Sequence, residues 1–210
     1  MSQEVASGPL ACDRTTDDFG APASHTDYAF EVTTYRVDGV YTDHRRPESV
    51  CFTASLEEDL KRRDFTINAM AYNPEQGVID IFGGQDDLKE GIIRCVGEAS
   101  ERFDEDALRI LRAVRFAAQL DFAIEEATRT AMREQAKYLR DISAERICTE
   151  LTKMLVSRHP ERLEEAYELG LTEVFLPEFD RMMQTLQNNP YHLYDVGHHT
   201  LKVMQAVSDT

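Results

Sequence analysis

The chain has 210 residues, 42% of them hydrophobic and 30% charged, which is enough to bury a core in one large or two small domains. Its net charge of −16 excludes a surface that is basic as a whole, although basic residues are concentrated in short stretches. No apolar run approaches the roughly 20 residues of a membrane helix, and the four cysteines form no CxxC pair. We therefore expect a cytoplasmic protein with reduced thiols and no membrane segment.

The first ninety residues predict a sheet with a helix. Residues 1–27 are rich in small and polar residues without periodicity, which predicts an irregular leader. The stretches "YAFEVTTYRV" and "PESVCFTAS" alternate as strands and predict a hairpin. Ser55 and Glu58 have the spacing of a capping box, which would begin a helix that runs through "LKRRDFTINAM". The stretch "GVIDIFGG" predicts a strand that ends at a glycine pair.

After Gly91 the spacing of apolar residues becomes helical. The predicted helices are "DEDALRILRAVRFAAQL", "EEATRTAMREQAKYL", "SAERICTELTKMLVS", "PERLEEAYELG" and, near the end, "VGHHTLKVMQAV". Asp104, Ser143 and Pro160 mark three of the starts, and Gly170 is suited to the end of the fourth helix. We predict an α+β chain, in which a mixed sheet with a helix is followed by an all-α part.

The first of these helices carries arginines at every third position. On a helix, Asp106 and Arg109 would be neighbours, so that they present an acceptor beside a donor fork. Cytosine and adenine both place an amine next to a ring-nitrogen acceptor, whereas guanine and uracil place a carbonyl there, so the pair fits C and A. Arg112 and Arg115 would meet a triphosphate or hold the acids in place. A solvated charged face with acids at the helix start is the alternative interpretation.

Three stretches carry a family resemblance. "RRDFTINAMAYN", "DIFGGQDDLKEGIIRCVGEASERFDEDALRILRAVRFAAQLDF" and "SAERICTELTKML" resemble successive motifs of the class II tRNA nucleotidyltransferases, which are the CCA-adding enzymes and bacterial poly(A) polymerases. The resemblance implies a partial nucleotidyltransferase head at 28–90, a helical neck and body that binds RNA and nucleotide at 91–190, and the start of an HD domain at 191–210. It also implies CTP and ATP as substrates, the tRNA 3′ end as acceptor and Mg²⁺ as cofactor.

The resemblance also assigns roles to individual residues. It implies that Arg63, Asp64 and Asn68 contact the sugar and phosphates of the nucleotide, and that Asp106 and Arg109 select the base. A ribose hydroxyl suits a carboxylate such as Asp64, and a triphosphate suits Arg63. Without the resemblance, "KRRD" is equally suited to the charged face of an amphipathic helix. Gly83 and Gly84 match the hinge between head and neck, although a glycine pair is also typical of a simple turn.

The metal sites of the family are only partly matched. Glu31 matches one of the three carboxylates that hold magnesium, and residues 1–29 contain no match for the other two. We therefore expect an incomplete metal site and no nucleotide transfer by this chain alone. His199 matches the first metal ligand of an HD domain, whose histidine-aspartate pair would lie beyond Thr210. His192 and His198 are expected to be ordinary surface residues.

Several functions remain open from the sequence. The first is a fragment of a tRNA nucleotidyltransferase that adds C and A to tRNA 3′ ends. Others are a non-catalytic nucleotide-binding or RNA-binding module, a fragment of a poly(A) polymerase, and a purely structural helical protein. CCA, CC-only, A-only and poly(A) addition share the quoted motifs, so the motifs do not discriminate between them.

Overall fold

A computed structural model describes residues 32–39, 49–189, 191 and 193–208. Its internal contacts divide the chain into two compact units, residues 1–33 and 34–210, and every element below lies in the second. The predicted leader, Glu31 and His192 lie outside the described residues. None of the helices in the described ranges combines the length and the apolar character that crossing a bilayer requires.

The predicted hairpin is present only as two short strands: residues 32–35 of the first predicted strand are not in a strand, and 28–31 lie outside the described residues. Strand β1 (Arg36–Asp38) pairs antiparallel with β2 (Val50–Phe52), and Val37 lies opposite Cys51. Both strands are largely exposed, so the hairpin depends on contacts outside its own sheet. One is the backbone N–H of Arg36, which donates to the carboxylate of Asp59 at 3.2 Å.

Helix α1 (Leu56–Lys61) begins as predicted but ends much earlier. The Ser55 hydroxyl accepts from the N–H of Glu58 at 3.3 Å, as in a capping box, whereas the Glu58 carboxylate accepts from Thr53 instead of returning to Ser55. The prediction of a helix through Met70 is wrong, because Phe65 adopts an extended backbone and is fully buried in the core. Burial of this ring outweighs the local helix preference.

A short 3-10 helix at Thr66–Asn68 leads into β3 (Met70–Asn73), which the sequence analysis missed. Strand β3 pairs antiparallel with β4 (Gly77–Asp80). The glycine pair does not end this strand but precedes and begins α2 (Gly84–Glu90). The chain thus reverses direction between β3 and β4.

The start of α2 is held by a close backbone approach. Asp80 accepts from the N–H groups of Gly84 and Gln85 at 2.9 and 2.8 Å, which satisfies two of the free donors of the first turn. Gly83 adopts a positive φ of 76°. The backbone of Gly84 lies against the carbonyl of Thr66, where a Cβ would have no room.

The segment from residue 91 to residue 190, called the neck below, begins with two strands and two helices. Strands β5 (Ile92–Ile93) and β6 (Ala123–Ile124) form a short parallel pair inside the part predicted to be all helical. The predicted arginine helix is divided into α3 (Ala99–Glu105) and α4 (Leu108–Leu120), so its predicted start at Asp104 is wrong. Asp106 lies between them with an extended backbone, φ −145° and ψ 102°.

The remaining helices follow the predicted order. Helix α5 (Glu126–Gln135) continues into a 3-10 segment at Ala136–Asp141 and packs on α3. Helix α6 (Ala144–Leu155) follows Ser143 as predicted and packs along α4. A 3-10 turn at Pro160–Arg162 follows α6. Four further helices are described after it: α7 (Leu163–Glu168), α8 (Thr172–Phe175), α9 (Pro177–Met183) and α10 (Val196–Ser208).

One hydrophobic cluster joins the loop after α1 to the neck. Phe65 and Phe103 are fully buried in it, together with Ile110 from α4. The ring of Phe65 also meets the edge of Phe116 with their centroids 5.8 Å apart. Since Phe65 follows α1 and Phe116 lies on α4, this contact holds the residues that precede Phe65 close to α4.

Candidate nucleotide-binding site

An open cavity of about 560 Å³ lies between the loop that follows α1 and the start of α4. Its volume is within the range of sites that bind small molecules. Six of the seven residues predicted to bind nucleotide line this cavity: Arg63, Asp64, Asn68, Asp106, Arg109 and Arg112. The other lining residues are Arg62, Leu108, Phe116 and Arg146. Five arginines against two aspartates make the cavity locally positive, although the chain as a whole is acidic.

Asp64 joins the head loop to α4. It is only 7% exposed, and one carboxylate oxygen accepts from the N–H of Phe65 at 2.9 Å and from the amide of Asn68 at 3.2 Å. The other oxygen accepts from Nε of Arg112 at 2.7 Å, with a second nitrogen of the same guanidinium at 2.5 Å. The Asp64 carboxylate is therefore hydrogen-bonded to donors of the protein itself. Its clearest effect on the site is that it directs the Arg112 side chain into the cavity.

Arg63 is held from the other side by a buried acid. Its Nη2 donates to Asp59 at 3.2 Å, and its Nη1 donates to the carbonyl of Asn68 at 3.1 Å. Asp59 is 3% exposed and also accepts from Arg62 and from the backbone of Arg36. Burial acts to raise the pKa of Asp59, but these hydrogen bonds outweigh it and hold the pKa below its ordinary value. Asp59 thus stays ionised and orients two cavity arginines.

Asp106 and Arg109 are neighbours, but not as two positions of one helix. The Asp106 Oδ1 atom accepts from the N–H of Leu108 at 3.1 Å, so the side chain caps the first turn of α4. Arg109 donates to the carbonyls of Arg102 and Arg62 at 3.1 and 2.9 Å, and its Nη1 atom also donates to the carboxylate of Glu105 at 2.5 Å. No hydrogen bond joins the two side chains among the described contacts. The second Asp106 oxygen accepts from Arg146, but the carboxylate has further lone pairs, and Arg109 has N–H groups beyond those named, so both side chains retain capacity for a ligand.

Arg115 does not line the cavity. It is 7% exposed, and its Nε atom lies 2.9 Å from a carboxylate oxygen of Glu150 on α6. Burial lowers the pKa of Arg115, while the charge of Glu150 acts to raise it. Its guanidinium carbon lies 4.1 Å from the ring centre of Phe116, whereas that of Arg112 lies 5.3 Å away. Arg115 is thus paired with an acid on α6 that neither of its two predicted roles named, and its part in nucleotide binding stays a prediction.

The predicted metal ligands are not brought together in the described ranges. No three His, Cys, Asp or Glu side chains there are close enough to share a metal ion. Glu31 lies outside the described residues, so its role as a magnesium ligand stays a prediction. The described residues thus offer no oxygen ligand set for Mg²⁺, and we assign no step to the ion. His199 lies on α10 and belongs to no such group.

His198 is more constrained than an ordinary surface residue. Its Nδ1 atom pairs with Asp195 at 2.5 Å and its Nε2 atom with Glu164 on α7 at 3.0 Å. Asp195 contributes most to raising the pKa of this imidazole, and Glu164 adds to it. The histidine therefore links the start of α10 to the neck.

Two family models match the chain. The poly(A) polymerase head domain matches residues 12–94, and the probable RNA- and SrmB-binding site of polymerase A matches residues 121–183. The CCA-adding enzyme of Oceanobacillus iheyensis is 56% identical over 135 residues, which are 64% of this chain and 34% of that enzyme. The enzyme of Pediococcus pentosaceus is 50% identical over 171 residues, 80% of this chain and 43% of that enzyme. The chain belongs to the CCA-adding enzyme and bacterial poly(A) polymerase family.

Solved structures of this family agree with the fold. The Bacillus stearothermophilus CCA-adding enzyme in complex with CTP is 45% identical, with a TM-score of 0.63 over 70% of this chain and 35% of that one. The Thermotoga maritima CCA-adding enzyme complexed with tRNA is 35% identical, with a TM-score of 0.52 over 64% of this chain and 32% of that one. The chain spans about a third to two-fifths of the length of these relatives.

Sequence reasoning missed four residues of the cavity wall. Arg62 is adjacent to Arg63 in the quoted "KRRD", and Phe116 follows Arg112 by one helical turn, so both carried a signal. Leu108 looked like one more apolar helix position. Arg146 lies forty residues after Asp106 in the quoted "SAERICTELTKML", and nothing in that stretch indicated a contact with the site.

Proposed function

We propose that this chain binds CTP and ATP as the nucleotide-selecting part of a cytoplasmic tRNA nucleotidyltransferase that adds C and A to tRNA 3′ ends. The observation that carries the proposal is the cavity in which three head residues meet three neck residues. The relatives support the choice, because similar structures include CCA-adding enzymes in complex with CTP, with ATP and with tRNA.

The base would be read by Asp106 and Arg109. The carboxylate of Asp106 accepts from the amine of cytosine or adenine, while an N–H of Arg109 that is not used by the backbone donates to the adjacent ring nitrogen. Guanine and uracil place a carbonyl toward the carboxylate and an N–H toward the guanidinium, so both contacts become repulsive. The pair thus discriminates by chemistry that C and A share.

The triphosphate would be bound by the arginines around this pair. Arg63 and Arg112 are the best oriented, since Asp59 and Asp64 each hold one of them by charge-assisted hydrogen bonds. Guanidinium groups fit phosphate oxygens in a bidentate manner. In the whole protein, Mg²⁺ held by Glu31 and further carboxylates would supply the electrostatic stabilisation that nucleotide transfer requires.

A poly(A) polymerase is the second candidate, because both matching family models carry that name. Such an enzyme would favour ATP over CTP. A non-catalytic module with the same neck would bind nucleotide without transferring it. The base preference of the isolated chain separates the first two candidates. Incorporation into tRNA by the whole protein, which would carry the remaining carboxylates, separates the third.

The test is a titration of the chain with CTP, ATP, GTP and UTP, followed by NMR shifts of arginine side-chain N–H groups. We expect CTP and ATP to bind about tenfold or more tightly than GTP and UTP, which is about 1.4 kcal/mol, within the range for base contacts. Asp106→Ala should remove this preference, and Arg109→Ala should weaken binding of both favoured bases.

A matched control is Glu134→Ala, which removes the same charge from an exposed position of α5. It should leave the preference unchanged. Equal binding of all four nucleotides by the unaltered chain would refute base reading by Asp106 and Arg109.

A further inference from the structure

The base-reading carboxylate is fixed at two points. Its Oδ1 atom accepts from the N–H of Leu108, and its Oδ2 atom accepts from Nη2 of Arg146 at 2.7 Å. The two donors come from different helices, α4 and α6, so together they set the plane of the Asp106 carboxylate. The backbone donor alone leaves the second oxygen free to turn away from the cavity.

A buried ion pair fixes the position of α6. Glu150 follows Arg146 by one helical turn, so both side chains lie on the same face of α6. Glu150 is 5% exposed and pairs with Arg115 on α4. One turn of α6 is thus paired with Arg115 on α4, and the adjacent turn is paired with Asp106, which precedes α4. This pairing places Arg146 opposite Asp106.

Among the described residues, Arg146 forms an ion pair with one carboxylate. Asp106 is its only carboxylate partner in the part of the chain that the structure describes, and its Nη1 atom is buried without a hydrogen-bond partner there. Arg146 also lines the cavity. Its guanidinium therefore lies in the cavity wall with its charge directed to a single carboxylate.

We infer that Arg146 is a positioning residue that orients Asp106 toward the base and thereby sets nucleotide choice. The inference rests on the proposed function, because it gives Arg146 a task only if Asp106 reads the base. When Arg146 is lost, the Asp106 carboxylate keeps its backbone contact but its second oxygen is no longer directed into the cavity. Discrimination between bases should then fall more than the affinity for the triphosphate.

The experiment repeats the four-nucleotide titration on the chain with Arg146→Ala and with Arg146→Met, which retains the apolar stem and protects packing. We expect either change to reduce the preference for CTP and ATP over GTP and UTP about fivefold or more, a size suited to loss of a charge-assisted hydrogen bond. Arg140→Ala is the matched control, since it removes the same charge from an exposed position outside the cavity. It should leave the preference as it is.

The outcomes separate the inference from the proposed function. If Asp106→Ala leaves the preference intact, the proposed base reader is wrong. If Asp106→Ala abolishes the preference but the folded Arg146→Met chain retains it, only the positioning role is overturned. Equal weakening of all four nucleotides by Arg146→Met would also overturn it, because that result indicates a simple charge contact with phosphate. Adding Arg146→Met to Asp106→Ala should cause no further loss of preference.

Discussion

Gly84→Ala should destabilise the protein by about 2–4 kcal/mol, as expected for a side chain forced into a packed site. A Cβ at this position would lie 2.8 Å from the carbonyl carbon of Thr66 and closer still to its oxygen. That carbonyl has little room to move, because it accepts from the N–H of Ala69 and the Thr66 hydroxyl donates to the buried Asp87 at 2.6 Å. For a chain of this size, we expect a melting temperature lower by about 4–16 °C in thermal unfolding.

The neighbouring glycine supplies the control. Gly83 has a φ of 76°, but a Cβ there would have no atom within 4 Å. Gly83→Asn should therefore cost less than about 1 kcal/mol, since asparagine tolerates the left-handed region. Similar losses of melting temperature for Gly83→Asn and Gly84→Ala would show that space at Gly84 is not what the fold requires.

Two further predictions concern buried and titrating pairs. Arg115→Met leaves Glu150 buried without its main partner and should lower the free energy of unfolding by about 3–5 kcal/mol in chemical denaturation. Adding Glu150→Leu should recover most of this loss, because no buried charge is then left unpaired. A double variant as unstable as the single one would contradict this prediction. Asp195 and Glu164 raise the pKa of His198 in the folded chain. The charge of His198 therefore stabilises the fold fully at pH values below the unfolded pKa of about 6.5. This stabilisation is lost as the pH rises through the folded pKa. Melting temperatures of the original chain and His198→Gln should converge from pH 5.5 to 9, and a constant difference would count against the pairing.

The sequence predicted the elements that carry their own signals. The hairpin alternates, α5, α6 and α10 have apolar residues at helical spacing, and α6 follows Ser143 as expected. The end of α1 and the break at Asp106 carry no such signals, because no glycine or proline marks either of them. These breaks are set by tertiary contacts, namely burial of Phe65 and the pairing of Asp106 with Arg146.

The difference between local sequence signals and tertiary contacts also decides which residues of the site could be predicted. Six of its residues were predicted to bind nucleotide from stretches that resemble family motifs, and the structure brings them to one cavity. Arg115 follows the same three-residue spacing as Arg109 and Arg112, but the helix turns it toward Glu150 on α6. Spacing alone does not reveal which side of α4 faces α6, so the roles of Arg115 and Arg146 depend on a packing that no local pattern encodes.

The contrast between a positive cavity and a chain of charge −16 has a kinetic consequence. A triphosphate that approaches from a distance meets the repulsive field of the whole chain, and the five cavity arginines act on it only at short range. The screening length falls from about 30 Å at 0.01 M salt to about 8 Å at 0.15 M, so moderate salt removes the distant repulsion first. Association should therefore become faster as salt is first added, while dissociation also becomes faster because the contacts with arginine weaken. A chain with a uniformly positive surface would instead lose association rate at every step of added salt.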